Sequence, residues 1–312
     1  MAEPRIVSLL PSATEIVAAL GHGDGLVGRS HECDFPAGVE SLPVCTRPRV
    51  DLSGSSIKID LKVKEIVSKV LSVYEVLEET LRVANPDVIV TQNQCEVCAV
   101  SLTDVEAAVC DWVNSDVEII SLTAESTEAV FDDIRRVAAA LNAAPTGAEV
   151  VEHMQSRLAE ILKSAEKLDT RPRVACIEWA DPLMAAGNWI PEFVEAAGGE
   201  NLFGSPGEHS PWLEWPDLLD ADPDIIVLMP CGYDLHRTVE EANMLSLDER
   251  WTSLRAVREG RTYVTDGNAY FNRPGPRLKD SLEMMAEMIH PDTFDFGHKG
   301  SGWTHSPHTA PA

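Results

Sequence analysis

The length and composition of the chain are those of a globular protein with two domains. Of its 312 residues, 44% are hydrophobic and 24% are charged, and this length exceeds that of a typical single domain. The formal net charge of -26, from 25 basic and 51 acidic residues, would repel a phosphate backbone, which excludes nucleic acid as a partner. Seven cysteines, an odd number in a long chain, argue against a disulfide framework and favour a reducing compartment.

The N-terminal residues carry no recognisable export signal. The longest apolar run there, Ile6 to Leu10, stops at Pro11, and no cysteine for lipid attachment precedes Cys33. The run is too short for a signal peptide core or for a membrane span. As written, the sequence predicts a cytoplasmic protein that spans no membrane; if N-terminal residues are missing from it, a periplasmic or cell-surface location is expected instead.

In the first half of the chain, short β-branched runs alternate with helical patterns. This alternation is typical of a mostly parallel sheet with helices on both faces. The predicted strands are 5–10, 26–29, 87–91 and 117–122. The predicted helices are 12–20, 63–71, 75–83, 102–112 and 126–141.

One long helix, residues 147–168, is predicted between the halves because apolar residues recur there at helical spacing. A second alternating set follows. Its predicted strands are 173–177, 224–229 and 262–265, and its predicted helices are 190–197, 215–221, 238–243 and 276–289. From Pro291 the chain turns to Gly, His, Ser and Pro without periodicity, which predicts disorder.

The predicted domains follow from these elements. They are an α/β lobe over residues 1–144, a connecting helix over 145–169, a second α/β lobe over 170–291 and a disordered tail over 292–312.

The loops after the predicted strands are the candidate ligand contacts, because open α/β sheets bind ligands at the carboxyl ends of their strands. The first-lobe candidates are Ser12, Glu32, Gln92 and Gln94. The second-lobe candidates are Trp179, Trp189, Tyr233, Asn268, Tyr270 and Phe271. Aromatic faces combined with amides suit a broad ligand that is apolar on its faces and polar at its edge.

A second set of candidates contains soft metal ligands. His31, Cys33, Cys95 and Cys98 lie in two adjacent first-lobe loops, and imidazole with thiolates could complete a tetrahedral zinc site or contact a metal within a bound ligand. A single C-x-x-C pair is a weak signal. Buried thiols and a redox-active dithiol are the alternatives.

Several segments resemble a known family in their order and spacing. They are residues 5–15 (RIVSLLPSATE), 85–90 (NPDVIV), 196–203 (AAGGENLF) and 221–227 (ADPDIIV). These segments resemble the cobalamin and ferric-siderophore binding proteins of ABC importers. Within that family, residues 92–100, 229–234 and 266–276 resemble the branch described as cobalamin-binding.

The resemblance implies a helical-backbone periplasmic binding protein fold. In this fold two Rossmann-like lobes are joined by one long helix and hold the ligand between them. It also implies that the chain is not an enzyme, that its ligand is a corrinoid such as cobalamin, and that surface acids dock onto an importer's permease. The acids that correspond best are Glu96 or Asp104 in the first lobe and Glu214 or Asp217 in the second.

Two alternatives stay open. A ferric siderophore would fit the same fold, but an anionic chelate favours an arginine-lined site, and only Arg29, Arg47 and Arg273 lie near the candidate loops. A metal- or thiol-dependent enzyme could use His31, Cys33, Cys95 and Cys98. Glu15, Glu32 and Glu178 could act as bases, but no spacing pairs them with a nucleophile.

Overall fold

The structure, a computed structural model, describes residues 3–68, 73–92, 104–106 and 117–307. The chain divides into two compact units. Unit 1 comprises Met1–Gly54, Lys58–Ala124 and Glu128–His153, and unit 2 comprises Ser55–Ile57, Glu125–Thr127 and Met154–Ala312. Within the described ranges, none of the helices has the length and apolar character needed to cross a bilayer.

The first part of the chain forms a four-stranded parallel sheet, a separate two-stranded antiparallel sheet and several helices. Its strands are β1 (Ile6–Ser8), β2 (Leu26–Arg29), β3 (Thr46–Pro48), β4 (Tyr74–Val76), β5 (Val88–Gln92) and β6 (Glu118–Leu122). Its helices are α1 (Pro11–Ala19), α2 (Ser56–Val67), α3 (Glu78–Ala84) and α4 (Thr127–Ala140), and α5 (Ala144–Ala165) crosses the boundary between the units. The parallel strands are ordered β2-β1-β5-β6.

The core of unit 1 explains why these residues form strands. Val7 of β1 and Ile89 of β5 are fully buried and adjacent in register, and Leu81 of α3 packs into the same cluster. β5 is buried along its whole length, and strands buried on both faces are read from sequence as continuous apolar runs. The predictions at 26–29, 87–91 and 117–122 are confirmed within one residue at either end.

Unit 2 contains a second, mixed sheet. Its strands are β7 (Arg173–Ala180), β8 (Leu183–Ala185), β9 (Glu200–Asn201), β10 (Ile225–Leu228), β11 (Thr262–Thr265) and β12 (Trp303–His305). Its helices are α6 (Ile190–Ala196), α7 (Trp215–Ala221), α8 (Leu235–Leu245), α9 (Glu249–Ser253), α10 (Arg255–Arg258) and α11 (Leu278–Ile289). The order is β12-β11-β10-β7-β8, with β9 also on β7, and β7, β10 and β11 run parallel.

Two predicted helices of the first half begin at other residues in the structure, and the one predicted over 63–71 begins already at Ser56. The helix predicted over 75–83 begins only at Glu78, because Tyr74–Val76 forms β4 and pairs with β3 in antiparallel fashion. Tyr74 is buried while Glu75 pairs with Arg47 and Arg49 at the surface, an alternation that stabilises a half-buried strand. Most of the helix predicted over 102–112 lies outside the described residues.

The prediction of a disordered tail is wrong for residues 292–307. β12 pairs antiparallel to β11 and places Trp303, 3% exposed, against the sheet. Glu287 of α11 accepts hydrogen bonds from the backbone N–H groups of Gly297, at 2.8 Å, and His298, at 3.3 Å. The composition of the tail shows neither the strand partner nor the buried carboxylate, since both belong to earlier parts of the chain.

Candidate functional site

Two loops of unit 2 carry most of the aromatic candidates. They are residues 230–234, after β10, and residues 266–272, after β11, and we call them the aromatic loops. Because β10 and β11 are parallel neighbours, both loops lie at the same carboxyl edge of the sheet, where ligands bind in such folds.

Hydrogen bonds and a close backbone contact hold the two aromatic loops together. The backbone N–H of Asn268 donates to the carbonyl of Tyr233 at 3.0 Å, and the Asn272 amide donates to the carbonyl of Met229 at 2.9 Å. A Cβ atom on Gly267 would lie 2.3 Å from the Pro230 carbonyl oxygen. Only glycine permits this close approach, so the contact between the two loops requires Gly267.

Burial separates the predicted aromatic contacts into two groups. Phe271, Tyr233 and Trp189 are 0%, 2% and 4% exposed and pack in the interior of unit 2. Trp179 and Tyr270 are partly exposed, as is the amide residue Asn268. The partly exposed side chains can touch a ligand, whereas the buried ones support the loops from below.

Tyr233 supports this edge of unit 2. Its ring meets the Trp179 ring edge-on at 5.4 Å between centroids, and the Arg237 guanidinium lies 3.7 Å from its ring centre. Burial raises the pKa of Tyr233 to about 12, so the phenol stays neutral at physiological pH. Trp179 itself belongs to β7, which is longer than predicted because it turns into an antiparallel hairpin with β8.

In unit 1, the loop after β2 positions the predicted imidazole. His31 Nδ1 lies 2.8 Å from the Thr46 hydroxyl, which also accepts from the His31 backbone N–H at 3.1 Å. Burial, with a smaller contribution from the charge of Arg29, lowers the pKa of His31 to about 4. The imidazole is therefore neutral at physiological pH. Glu32 beside it accepts a hydrogen bond from the Tyr74 hydroxyl at 3.1 Å.

The other first-lobe candidates lie deeper. Cys33 is 1% exposed and its sulfur accepts a hydrogen bond from the Thr14 hydroxyl at 3.0 Å. Ser12, in the first turn of α1, is buried, and no described residue hydrogen-bonds its hydroxyl. Gln92 ends β5 and is also buried. The remaining candidates, Gln94, Cys95 and Cys98, lie outside the described residues, so the predicted zinc site stays a prediction.

Sequence analysis missed one group of possible metal ligands. Across the described ranges, the only three His, Cys, Asp or Glu side chains whose ligand atoms converge are Asp280, Glu283 and His298. Lys279 pairs with the carboxylate of Asp280, and Arg157 pairs with that of Glu283. The group is therefore a salt-bridge network. No local signal could have revealed it, because its members come together only when the C-terminal segment folds onto α11.

The structure describes three of the four predicted docking acids. Glu214 and Asp217 lie exposed at the start of α7. Asp104 lies within a short described helical stretch, and Glu96 lies outside the described residues. Their role stays a prediction.

The fold and these loops define a two-unit α/β binding protein, and comparison with known proteins gives its family. Residues 6–269 match the periplasmic binding protein family. Since this match spans most of the chain, the chain belongs to that family. The family resemblance and the α/β fold predicted from sequence are thereby confirmed.

The chain is also similar to individual proteins. It is 26% identical over 303 residues to YvrC, an uncharacterized ABC transporter substrate-binding lipoprotein of Bacillus subtilis, covering 94% of this chain and 82% of the relative. A periplasmic heme binding protein from Pseudomonas aeruginosa has a TM-score of 0.73 at 19% identity, covering 99% of both chains. The periplasmic vitamin B12 binding protein BtuF of Vibrio cholerae has a TM-score of 0.64 at 19% identity, covering 92% of this chain and 96% of that chain.

Family membership settles two of the earlier expectations. A family of binding proteins confirms the prediction that the chain is not an enzyme. The prediction of a cytoplasmic location is wrong, because the family is periplasmic and a relative along nearly the whole chain is a lipoprotein. That prediction relied on the lack of a recognisable export signal and on the odd cysteine count, neither of which reports on the family.

Proposed function

We propose that the chain is the substrate-binding protein of an ABC importer and that its ligand is a corrinoid. The importer assignment is supported by the family and by the similarity to an ABC transporter substrate-binding lipoprotein. The observation that carries the ligand assignment is the pair of fastened aromatic loops, with Tyr270 and Asn268 partly exposed on them and Trp179 partly exposed beside Tyr233.

The chemistry of these side chains suits a corrinoid. A corrinoid is a broad macrocycle with amide side arms, so it offers an apolar face for aromatic stacking and amide groups for hydrogen bonding. Trp179 and Tyr270 supply aromatic rings, and Asn268 supplies an amide that can both donate and accept.

The arginines near the candidate loops argue against an anionic siderophore. Arg29 donates to the backbone carbonyls of Ser30 and Glu40 at 2.9 Å each. Arg47 pairs with Glu75, and Arg273 is 3% exposed. Arginines that bind an anionic chelate must direct their N–H groups at it, and these three are engaged or buried.

Titration with cyanocobalamin tests the proposal. We expect one-to-one binding by calorimetry, accompanied by changes in the corrin absorbance bands. Trp179→Ala and Tyr270→Ala should each weaken binding by about tenfold or more, because aromatic anchors contribute disproportionately to binding. Trp212→Ala is the matched control, since Trp212 is 57% exposed and lies outside the aromatic loops.

Two results would contradict the proposal. One is saturable one-to-one binding of hemin or of a ferric siderophore without any binding of cyanocobalamin, which would assign another ligand class to the same fold. The other is equal weakening by Trp212→Ala and Tyr270→Ala, which would show that binding does not use the aromatic loops.

A further inference from the structure

One imidazole of unit 1 is held by one ring nitrogen, while the other nitrogen has no partner among the residues that the structure describes. His31 Nδ1 lies 2.8 Å from Thr46 Oγ1. None of the described residues hydrogen-bonds Nε2, and the His31 side chain is only partly buried. Nε2 is not among the buried atoms that lack a partner, so it is accessible to a ligand.

The hydroxyl that holds the ring also determines where its proton lies. Thr46 donates to the Ser30 hydroxyl at 3.0 Å, so its own proton is committed. Its oxygen has two lone pairs, and these accept the His31 backbone N–H and the ring Nδ1–H. This arrangement favours the Nδ1–H tautomer, which leaves the lone pair of the ring on Nε2.

The groups around the ring hold it in place. Arg29 is fixed beside it by donating to the backbone carbonyls of Ser30 at 2.9 Å and His31 at 3.4 Å. Glu32, the nearest acid in the loop, is engaged by the Tyr74 hydroxyl. The Tyr74 ring lies 5.2 Å from the imidazole at 44° and restricts its rotation.

This arrangement is the one that metal-bound histidines show. In metalloproteins, the nitrogen that does not bind the metal donates its N–H to a nearby oxygen, which fixes the tautomer and the ring orientation. Neutral imidazole is a good ligand for late first-row metals. His31 has these features, but Cys33, two residues away, is 1% exposed and its sulfur accepts a hydrogen bond from Thr14.

We propose that His31 Nε2 coordinates the central metal of the bound macrocycle at an axial position. The macrocycle is a corrinoid, so this metal is cobalt. This inference rests on the proposed function. A macrocycle fills the equatorial positions of its metal, so a single protein ligand suffices and no cluster of cysteines is required. In the binding step the Nε2 lone pair forms the bond to cobalt, a coordinated water leaves as H2O, and no proton or electron is transferred.

Two probes that differ only in their axial positions test this inference. Diaquocobinamide has exchangeable axial waters, whereas the axial positions of dicyanocobinamide are occupied by cyanide. We expect the wild-type protein to shift the visible bands of diaquocobinamide towards those of an imidazole complex. In His31→Ala this shift should be lost, and the affinity for diaquocobinamide relative to dicyanocobinamide should fall by about tenfold or more.

Three further variants or additions separate ligation from general damage. His153→Ala removes an exposed imidazole from α5 and should leave the shift intact. Free imidazole, at a concentration too low to shift the spectrum of diaquocobinamide alone, should restore the band position in His31→Ala. Thr46→Val, which removes the acceptor of Nδ1–H, should weaken diaquocobinamide binding while retaining a shifted spectrum, as expected of a positioning residue.

The two proposals fail in different ways. If the wild-type protein binds both cobinamides but shifts neither spectrum, and His31→Ala leaves the affinity ratio unchanged, the axial ligand is overturned while the corrinoid function stands. If neither cobinamide nor cyanocobalamin binds, both are overturned. If His153→Ala abolishes the shift as His31→Ala does, the assignment to His31 is overturned.

Discussion

Two buried carboxylates of α11 decide how the C-terminal segment folds. Glu287, 2% exposed, accepts from the backbone of Gly297 at 2.8 Å and from Trp303 Nε1 at 2.5 Å. Glu283 pairs with His298, whose Nε2 lies 2.7 Å from its carboxylate, and with Arg157 of α5. A buried carboxylate is stable only when its oxygens are satisfied, so the segment and the helix require each other.

The pair of His298 and Glu283 predicts a pH-dependent stability. The hydrogen bond that His298 donates to Glu283 raises the pKa of His298 above its ordinary value of 6.5. Burial opposes ionisation of Glu283, but the hydrogen bonds from His298 and Arg157 keep its pKa below the usual range. The stabilisation is therefore fully present below the unfolded-state pKa of His298 and is lost as the pH rises through the raised pKa of the folded state.

Thermal unfolding of the wild type and of His298→Gln between about pH 6 and pH 9 checks this expectation. At the acidic end, the free energy of unfolding of the wild type should exceed that of His298→Gln by about 1–3 kcal/mol, as expected for a hydrogen bond between charged groups. This difference should shrink towards the alkaline end. His236→Gln is the control, because the His236 side chain is 83% exposed. A difference that stays constant with pH would contradict the assignment.

At the scale of elements, α4 and α5 pack closely at a glycine. Gly147 lies in the first turns of α5, and a Cβ atom there would lie 2.4 Å from the Ala138 Cβ of α4. The sequence predicts the long helix but places its start at residue 147, whereas the structure begins α5 at Ala144. Pro145 falls in the first turn, where the missing N–H costs nothing.

Gly147→Ala should destabilise the protein although alanine is the better helix former. The gain in helix propensity is about 1 kcal/mol, but the clash forces apart two helix backbones, and overpacking of this kind costs about 1–3 kcal/mol. Denaturant unfolding measures the difference. In the control, Gly23→Ala, the nearest non-neighbouring atom to the new Cβ is 3.9 Å away, so a similar loss there would contradict the packing argument.

At the scale of the whole molecule, the net charge of -26 opposes compaction through self-repulsion. Raising the ionic strength from about 0.01 M to about 0.15 M shortens the Debye length from about 30 Å to about 8 Å. We therefore expect the thermal midpoint to rise with NaCl. KCl should give the same rise, because screening is independent of the cation, and a midpoint that falls with either salt would contradict the expectation.

The elements that sequence predicted well are those with strong local patterns. β5 and β10 are continuous apolar runs preceded by Pro86 and Pro223, and both were predicted close to their observed ends. β3, β4, β8 and β12 were missed because they are short and depend on antiparallel partners elsewhere in the chain. Their stability comes from pairing and burial, which a local pattern does not record.

The sequence by itself determined the alternation of strands and helices, the family, and the loops at the strand ends where ligand contacts are expected. Only the tertiary structure decided that Trp189 and Phe271 are buried while Trp179 and Tyr270 are accessible. It also decided that Nδ1 of His31 lies beside the Thr46 hydroxyl. The physical reason is that exposure and side-chain contacts depend on partners distant in sequence, such as Thr46, 15 residues from His31, and folding alone brings these together.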